Sequence, residues 1–200
     1  MVFIERSGAG LTVKEAAVLA DVSEKVVRHE MSARIVRPLR KARRHVELGE
    51  GAVFYFSLVS KLPFELSRGD RRDLYDCLSS KGGDRGRWSL GAKGLVLHGG
   101  VPVVLPTKEI ARAIEARLKL FALGKKRVVS HPDTLGGEPV FEGTRLSVRH
   151  VGALVKKGVP VEALREEFPK LSADDFAFAR IFVDLGRRPG RPRKLKFVRS

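Results

Sequence analysis

Cysteine is almost missing from this sequence, with Cys77 the single thiol in 200 residues. One thiol supplies neither a disulfide framework nor the several ligands of a structural zinc site. Long apolar runs are missing as well, since no stretch approaches the ~18 consecutive apolar residues that span a bilayer. The opening Met1-Val2-Phe3-Ile4-Glu5 has neither the apolar centre nor the cleavage site of a secretory leader. These absences predict a cytoplasmic protein away from membranes, with no metal and no cofactor.

What is present in excess is positive charge. Against 23 Asp and Glu stand 39 Lys and Arg, a net charge of +16. A surface this basic concentrates polyanions and gains from counterion release on nucleic acid. The excess is clustered. Between Gly186 and Ser200 lie Arg187, Arg188, Arg191, Arg193, Lys194, Lys196 and Arg199 with no acid. A second acid-free run holds Arg34, Arg37, Arg40, Lys41, Arg43 and Arg44. A solvated face or a membrane-surface patch carries similar charge, but neither run has the bulky apolar face of an interfacial helix. Nucleic acid is the favoured partner. Hydrophobic residues make up 43% of the chain, which supports a packed core over disorder.

There are no internal repeats, and the chain divides into four segments: 1–60, a middle helix/β-hairpin/helix region over 61–126, a helical unit over 127–185, and a basic tail over 186–200. In the first, Ala52-Val53-Phe54-Tyr55-Phe56 is β-branched and aromatic and reads as a strand. Ser57 then reads as the cap of a short helix limited by Pro63. Ser67 through Leu78 has helical spacing. Arg87–Leu97 and Val101–Leu105 flank His98-Gly99-Gly100 as a hairpin. Thr107 opens a helix with an apolar stripe through Ile110, Ile114, Leu118 and Phe121, closed by Gly124.

The stretch from Leu11 to Arg28 carries a recognisable mechanism. Thr12 caps a first helix, and Glu15 completes a capping box. Ala16, Leu19 and Ala20 form a close-packing face. Asp21-Val22 makes a tight turn with the valine inward, and Ser23 caps a second helix whose Val26 and Val27 pack on the first. In a major groove such a helix presents Ser23, Glu24 and Lys25 to base edges, with Arg28 and His29 placed for phosphate or edge contacts. A helical hairpin that merely packs is the plainer alternative. Leu11 to Pro38 resembles the winged helix-turn-helix of MerR-like regulators through Thr12, Val22-Ser23, Val27-Arg28 and Ile35-Val36 before Pro38. The resemblance implies a wing within Arg37–Phe56, with Arg40, Arg43 and Arg44 gripping the phosphate backbone. No dimerising coiled coil or effector cysteines follow, so metal sensing does not carry over.

In the third segment, Ser147 or Val148 starts a helix stopped by Gly158, and Pro160 leads into another that stops before Pro169. Ser172 caps a third, with Asp174 and Asp175 at its positive end. Three short helices bury little alone, so some apolar surface must meet the middle region, a second protomer or a partner. Phe178 and Phe182 are the candidate partner contacts there. The ordered stations His131-Pro132, Gly137-Glu138-Pro139-Val140, Gly143-Thr144-Arg145, Lys157-Gly158-Val159 and Glu167-Phe168-Pro169 resemble the domain of unknown function 433, a VapB-type antitoxin domain. That resemblance implies a three-helix fold, dimerisation, and pairing with a PIN-like ribonuclease toxin. Ser147 replaces the family's common Pro and is expected to loosen the helix start. Gly143-Thr144-Arg145 has two readings: a structural turn, with Thr as cap and Arg tied to a helix carboxylate, or a partner contact.

The tail Arg187-Arg188-Pro189-Gly190-Arg191-Pro192-Arg193-Lys194 resembles an AT-hook built on Gly190-Arg191-Pro192. Glycine keeps the backbone close to the groove floor, and Arg188, Arg191 and Arg193 suit the narrow minor groove of A·T-rich DNA. Pro189 stands where the usual hook has Arg. The same Arg188, Arg191 and Arg193 could instead enter the carboxylate cluster of a ribonuclease toxin, or the tail could simply solubilise.

Nothing points to an enzyme. No phosphate-cradling loop follows a strand, and the histidines stand singly. Asp70, Asp73 and Asp76 share a helical stripe that imitates a metal site, but Arg71 and Arg72 interrupt it and favour a solvated face. The expectation is an α/β, mainly α protein: a winged helix-turn-helix and a three-helix antitoxin domain, forming a homodimer that represses its own operator. The alternative is a stand-alone transcriptional regulator or an A·T-rich architectural protein.

Overall fold

The computed structural model describes residues 10–42, 45–79, 84–91, 94–99, 102–105 and 107–186. Across them the chain is mainly helical, with short antiparallel strands. Thr12 ends β1 (Leu11–Thr12) and caps α1 (Val13–Ala20). Its hydroxyl accepts from the Glu15 N–H at 3.2 Å, and Glu15 Oε2 accepts from the Thr12 N–H at 2.8 Å, which completes the expected capping box. The helix closes at Asp21, whose backbone is left-handed at φ 58°. Asp tolerates that region better than most residues. Ser23 then caps α2 (Glu24–Ser32).

β2 (Arg40–Ala42) and β3 (His45–Leu48) pair as an antiparallel hairpin, and β1 joins the other edge of β3. The hairpin therefore ends at Leu48, well short of Phe56. The next element is α3 (Glu50–Val59), which absorbs the expected strand Ala52–Phe56. Every residue from Ala52 to Leu58 is buried. An apolar run enclosed on all sides serves a sunken helix as well as a central strand, and composition alone does not separate them. Ser57 lies buried inside this helix and caps nothing.

Ser67 caps α4 (Arg68–Ser79), accepting from the Asp70 N–H at 3.1 Å. The predicted two-strand hairpin is a three-strand meander of β4 (Trp88–Gly91), β5 (Gly94–Leu97) and β6 (Val103–Leu105). The extra reversal falls between Gly91 and Gly94, and Gly94 has φ +141° with no room for a Cβ against the Leu105 carbonyl. Those two glycines were the overlooked signal.

α5 (Thr107–Lys126) runs through Gly124 instead of ending there. Gly124 has a different purpose, because a Cβ at that position would overlap the Phe178 ring. Beyond it, β7 (Val128–Val129) pairs with β8 (Val140–Phe141), and a single 3-10 turn, Leu135–Gly137, lies between them. Three helices follow, as expected: α6 (Val148–Lys156), α7 (Val161–Glu167) and α8 (Ala173–Asp184). Ser147 does not loosen the start of α6. Its hydroxyl accepts from the His150 N–H at 3.3 Å, doing a cap's work.

α5 packs on α3 and on α8, so the buried side chains form one cluster from Leu11 to Ile181. Phe121 and Phe178 meet with ring centroids 6.0 Å apart, and Lys125 reaches Glu15 at 3.1 Å to tie α5 to α1. No described helix is long and apolar enough to cross a membrane.

Candidate functional site

The outer face of α2 is the most accessible helical surface among the predicted site residues. Ser23, Lys25, Val26, Arg28 and His29 are all exposed, while Val27 is completely buried against the core. Val26 was expected to pack inward with Val27, but it is 45% exposed. Adjacent residues on a helix point about 100° apart, so one of the pair must leave the packed face. Glu24 and Arg28 form an i,i+4 ion pair at 3.2 Å, and 66% of the Arg28 side chain remains exposed. Thr12 is exposed too, but its hydroxyl serves the α1 cap.

A buried carboxylate anchors the reverse side of α2. Glu30, only 5% exposed, accepts from the Tyr55 hydroxyl at 2.7 Å and from Arg71 at 2.5 Å. An acid near the C-terminal end of a helix opposes the macrodipole. The α3 phenol and the α4 guanidinium compensate for that placement. Sequence reasoning missed all three residues, although an acid so late in the helix was a usable signal. Two more α4 side chains fix the turn after α2: Arg68 donates to the Ala33 carbonyl at 2.8 Å, and the Tyr75 hydroxyl donates to the Arg37 carbonyl at 2.9 Å. Ile35 and Val36 are buried, which holds the start of the hairpin in place.

The basic run does not act as one patch. Arg37 pairs with Asp76, whereas Arg34 and Arg40 are exposed. Arg40 stands opposite Glu47 in the hairpin register. Arg43 and Arg44 lie outside the described residues, as do Arg188, Gly190, Arg191, Pro192 and Arg193 of the tail. The carboxylates of α4 are engaged with cations or caps: Asp70 takes Ser67 and Arg87, and Asp76 takes Arg37. Among the described residues no group of three or more His, Cys, Asp or Glu could hold a metal ion.

In the C-terminal unit the expected contact pair splits. Phe178 is fully buried between α5 and α8 and offers no surface in this arrangement. Phe182 is half-buried, with the Arg149 guanidinium 4.9 Å from its ring centroid. The same Arg149 pairs with Glu138 at 3.5 Å and donates to the Gly186 carbonyl at 3.2 Å. This is the loop-to-helix tie that had been assigned to Arg145. Arg145 itself is exposed and has no hydrogen bond or ion pair among the described residues. Gly143 takes φ +71°, and the Thr144 hydroxyl donates to the Phe141 carbonyl at 2.8 Å and accepts from the Leu146 N–H at 3.1 Å. The structural half of that motif is therefore Gly and Thr alone.

Comparison with known proteins bears on this unit. "Uncharacterized protein y4eO" of Sinorhizobium fredii (strain NBRC 101917 / NGR234) is 39% identical over 82 residues. The match covers 41% of this chain and 37% of that relative. No solved structure matches. Residues 128–183 match the family described as "Protein of unknown function (DUF433)", and the chain thus carries a DUF433-family domain at its C-terminal end.

Proposed function

We propose that this protein binds duplex DNA through α2 and the β2–β3 hairpin, as a repressor acting on its own operator. One observation carries the reading: α2 exposes Ser23, Lys25, Val26, Arg28 and His29 together while Glu30 locks its opposite side into the core. A rigidly backed helix with free polar ends fits the recognition helix of a winged helix-turn-helix. Ser23 and Lys25 face base edges, Val26 suits a thymine methyl, and Arg28 and Arg40 reach phosphates. Operator DNA titrated by fluorescence anisotropy over a range of salt tests this. The Lys25→Ala/Arg28→Ala double variant should weaken binding and reduce the salt slope by about 1 to 2, one for each lost phosphate contact. Unaltered affinity and slope would remove α2 from the interface.

The second part of the reading is antitoxin activity against a PIN-like ribonuclease, with binding and not catalysis as the chain's role. Besides the DUF433 match, it is supported by an open apolar groove. Leu120 of α5, Val155 of α6, Val161 of α7 and Ala177 and Ile181 of α8 line it, with Arg117 and Arg180 beside them. Surfaces of this kind are typically covered by protein partners. Co-purification with the product of an adjacent gene, and loss of that product's ribonuclease activity on mixing, tests it. Failure of both leaves a stand-alone regulator.

A further inference from the structure

Two of the motifs that stand apart in the sequence meet at one place in the fold. His131 from the loop after β7 and the turn Glu142-Gly143-Thr144-Arg145 after β8 line a common open cleft of about 540 Å³, completed by Lys170 from the loop before α8. Arg145 and Lys170 are exposed and pair with no carboxylate among the described residues, although Glu142 lines the same cleft. Other cations of this unit do find acids: Arg127 takes Asp175 at 3.0 Å, and Lys156 takes Asp184 at 2.8 Å. The backbone adds donors. Thr144 N–H is spent on the Phe141 carbonyl, but the N–H groups of Gly143 and Arg145 have no acceptor among the described residues.

From this juxtaposition we infer that the cleft binds a phosphate group, with the Arg145 guanidinium and Lys170 ammonium as its cationic partners. A planar guanidinium matches two phosphate oxygens at once, while an ammonium acts as a point charge. A turn with a left-handed residue, here Gly143 at φ +71°, offers successive amides in the manner of an anion nest. A Cβ at Gly143 would meet no atom within 4 Å, so the glycine is needed for its backbone angle and leaves the cleft open. The site does not depend on α2 binding DNA. The same phosphate chemistry could come from a free nucleotide or from a nucleic-acid backbone.

Amide NMR of the full chain separates the sources, using adenosine monophosphate in one titration and a short oligonucleotide in another. Saturable shifts of the Gly143 and Arg145 amides are expected with at least one of them. The Arg145→Gln/Lys170→Gln variant should bind that ligand about tenfold more weakly or worse, given the usual worth of charge-assisted hydrogen bonds. Its spectrum elsewhere should match the parent, because neither side chain makes a described contact. The Lys25→Gln/Arg28→Gln variant should retain the shifts, so a failure of the α2 reading leaves this site standing. No saturable shift with either ligand, or equal binding by the Arg145→Gln/Lys170→Gln variant, would overturn the inference.

Discussion

The Tyr55 hydroxyl donates to Glu30 Oε2 across 2.7 Å inside the core, joining α3 to the last turn of α2. Burial, reinforced by the neighbouring carboxylate, pushes the phenol far above its usual titration range, so it stays a donor. Removing Glu30 strands Arg71, which is partly buried and loses its partner. Glu30→Ala should cost toward the lower end of ~3–5 kcal/mol, and Tyr55→Phe about 1 kcal/mol, because Arg71 then still satisfies the carboxylate. Urea unfolding measures both. A Glu30→Ala variant as stable as an ordinary surface substitution would contradict the anchoring of α2.

Gly152 sits where α6 crosses α8, and a Cβ there would overlap the Ala179 carbonyl and the Val183 side chain. The obstacle is partly backbone, so it cannot rotate away. Gly152→Ala should therefore destabilise by ~1–3 kcal/mol, the cost of overpacking, despite the better helix propensity of alanine. A higher melting temperature in the variant would show that the two helices have room to separate.

Asp184 predicts an acid-side pH dependence. Its hydrogen bond with Lys156 holds the carboxyl below the usual carboxylate range; burial pushes the other way, and Arg180 adds to the lowering. A carboxyl depressed in the folded state contributes fully above its unfolded pKa of about 3.9 and loses that contribution as pH falls through the lower folded value. The stability gap between parent and Asp184→Asn should be constant from pH 6 to 8 and shrink below about pH 4. Exposed partners keep the gap under ~1 kcal/mol. A gap that widens on acidification would reverse the assignment.

Cys77 is buried in α4, and burial raises its thiol pKa, with Asp84 adding to the rise. A neutral, enclosed thiol is a poor nucleophile. Alkylation by iodoacetamide at pH 8 should be slow in the native protein and rapid in urea. Comparable rates in both states would place the thiol at the surface.

Truncation after Gly186 removes seven cations. On the minor-groove reading of the tail, DNA affinity should fall and its salt dependence should flatten. An unchanged slope would leave the tail to a protein partner or to solubility.

Local interactions were legible because both halves of each lie within a few residues. The Thr12–Glu15 box needs only three residues of chain, as does the cap at Ser23, and the Ser172 hydroxyl accepting from the Asp175 N–H at 3.3 Å is built the same way. The helices of the DUF433 domain followed from its spaced glycines, prolines and caps. Pairs of adjacent apolar residues were harder. Val26 and Val27 look equivalent in the sequence, and only the direction of packing against α1 sends one outward.

The amino-acid order by itself determined where helices begin, where glycine must turn the chain, and how much positive charge the surface carries, since these depend on near neighbours or on simple sums. Tertiary structure decided that Ala52–Phe56 coils instead of extending, that Phe178 is enclosed, that Arg149 and not Arg145 ties the loop down, and that Glu30 anchors α2. Each of those outcomes depends on partners distant in the chain, and no local preference records which partners the core will bring together.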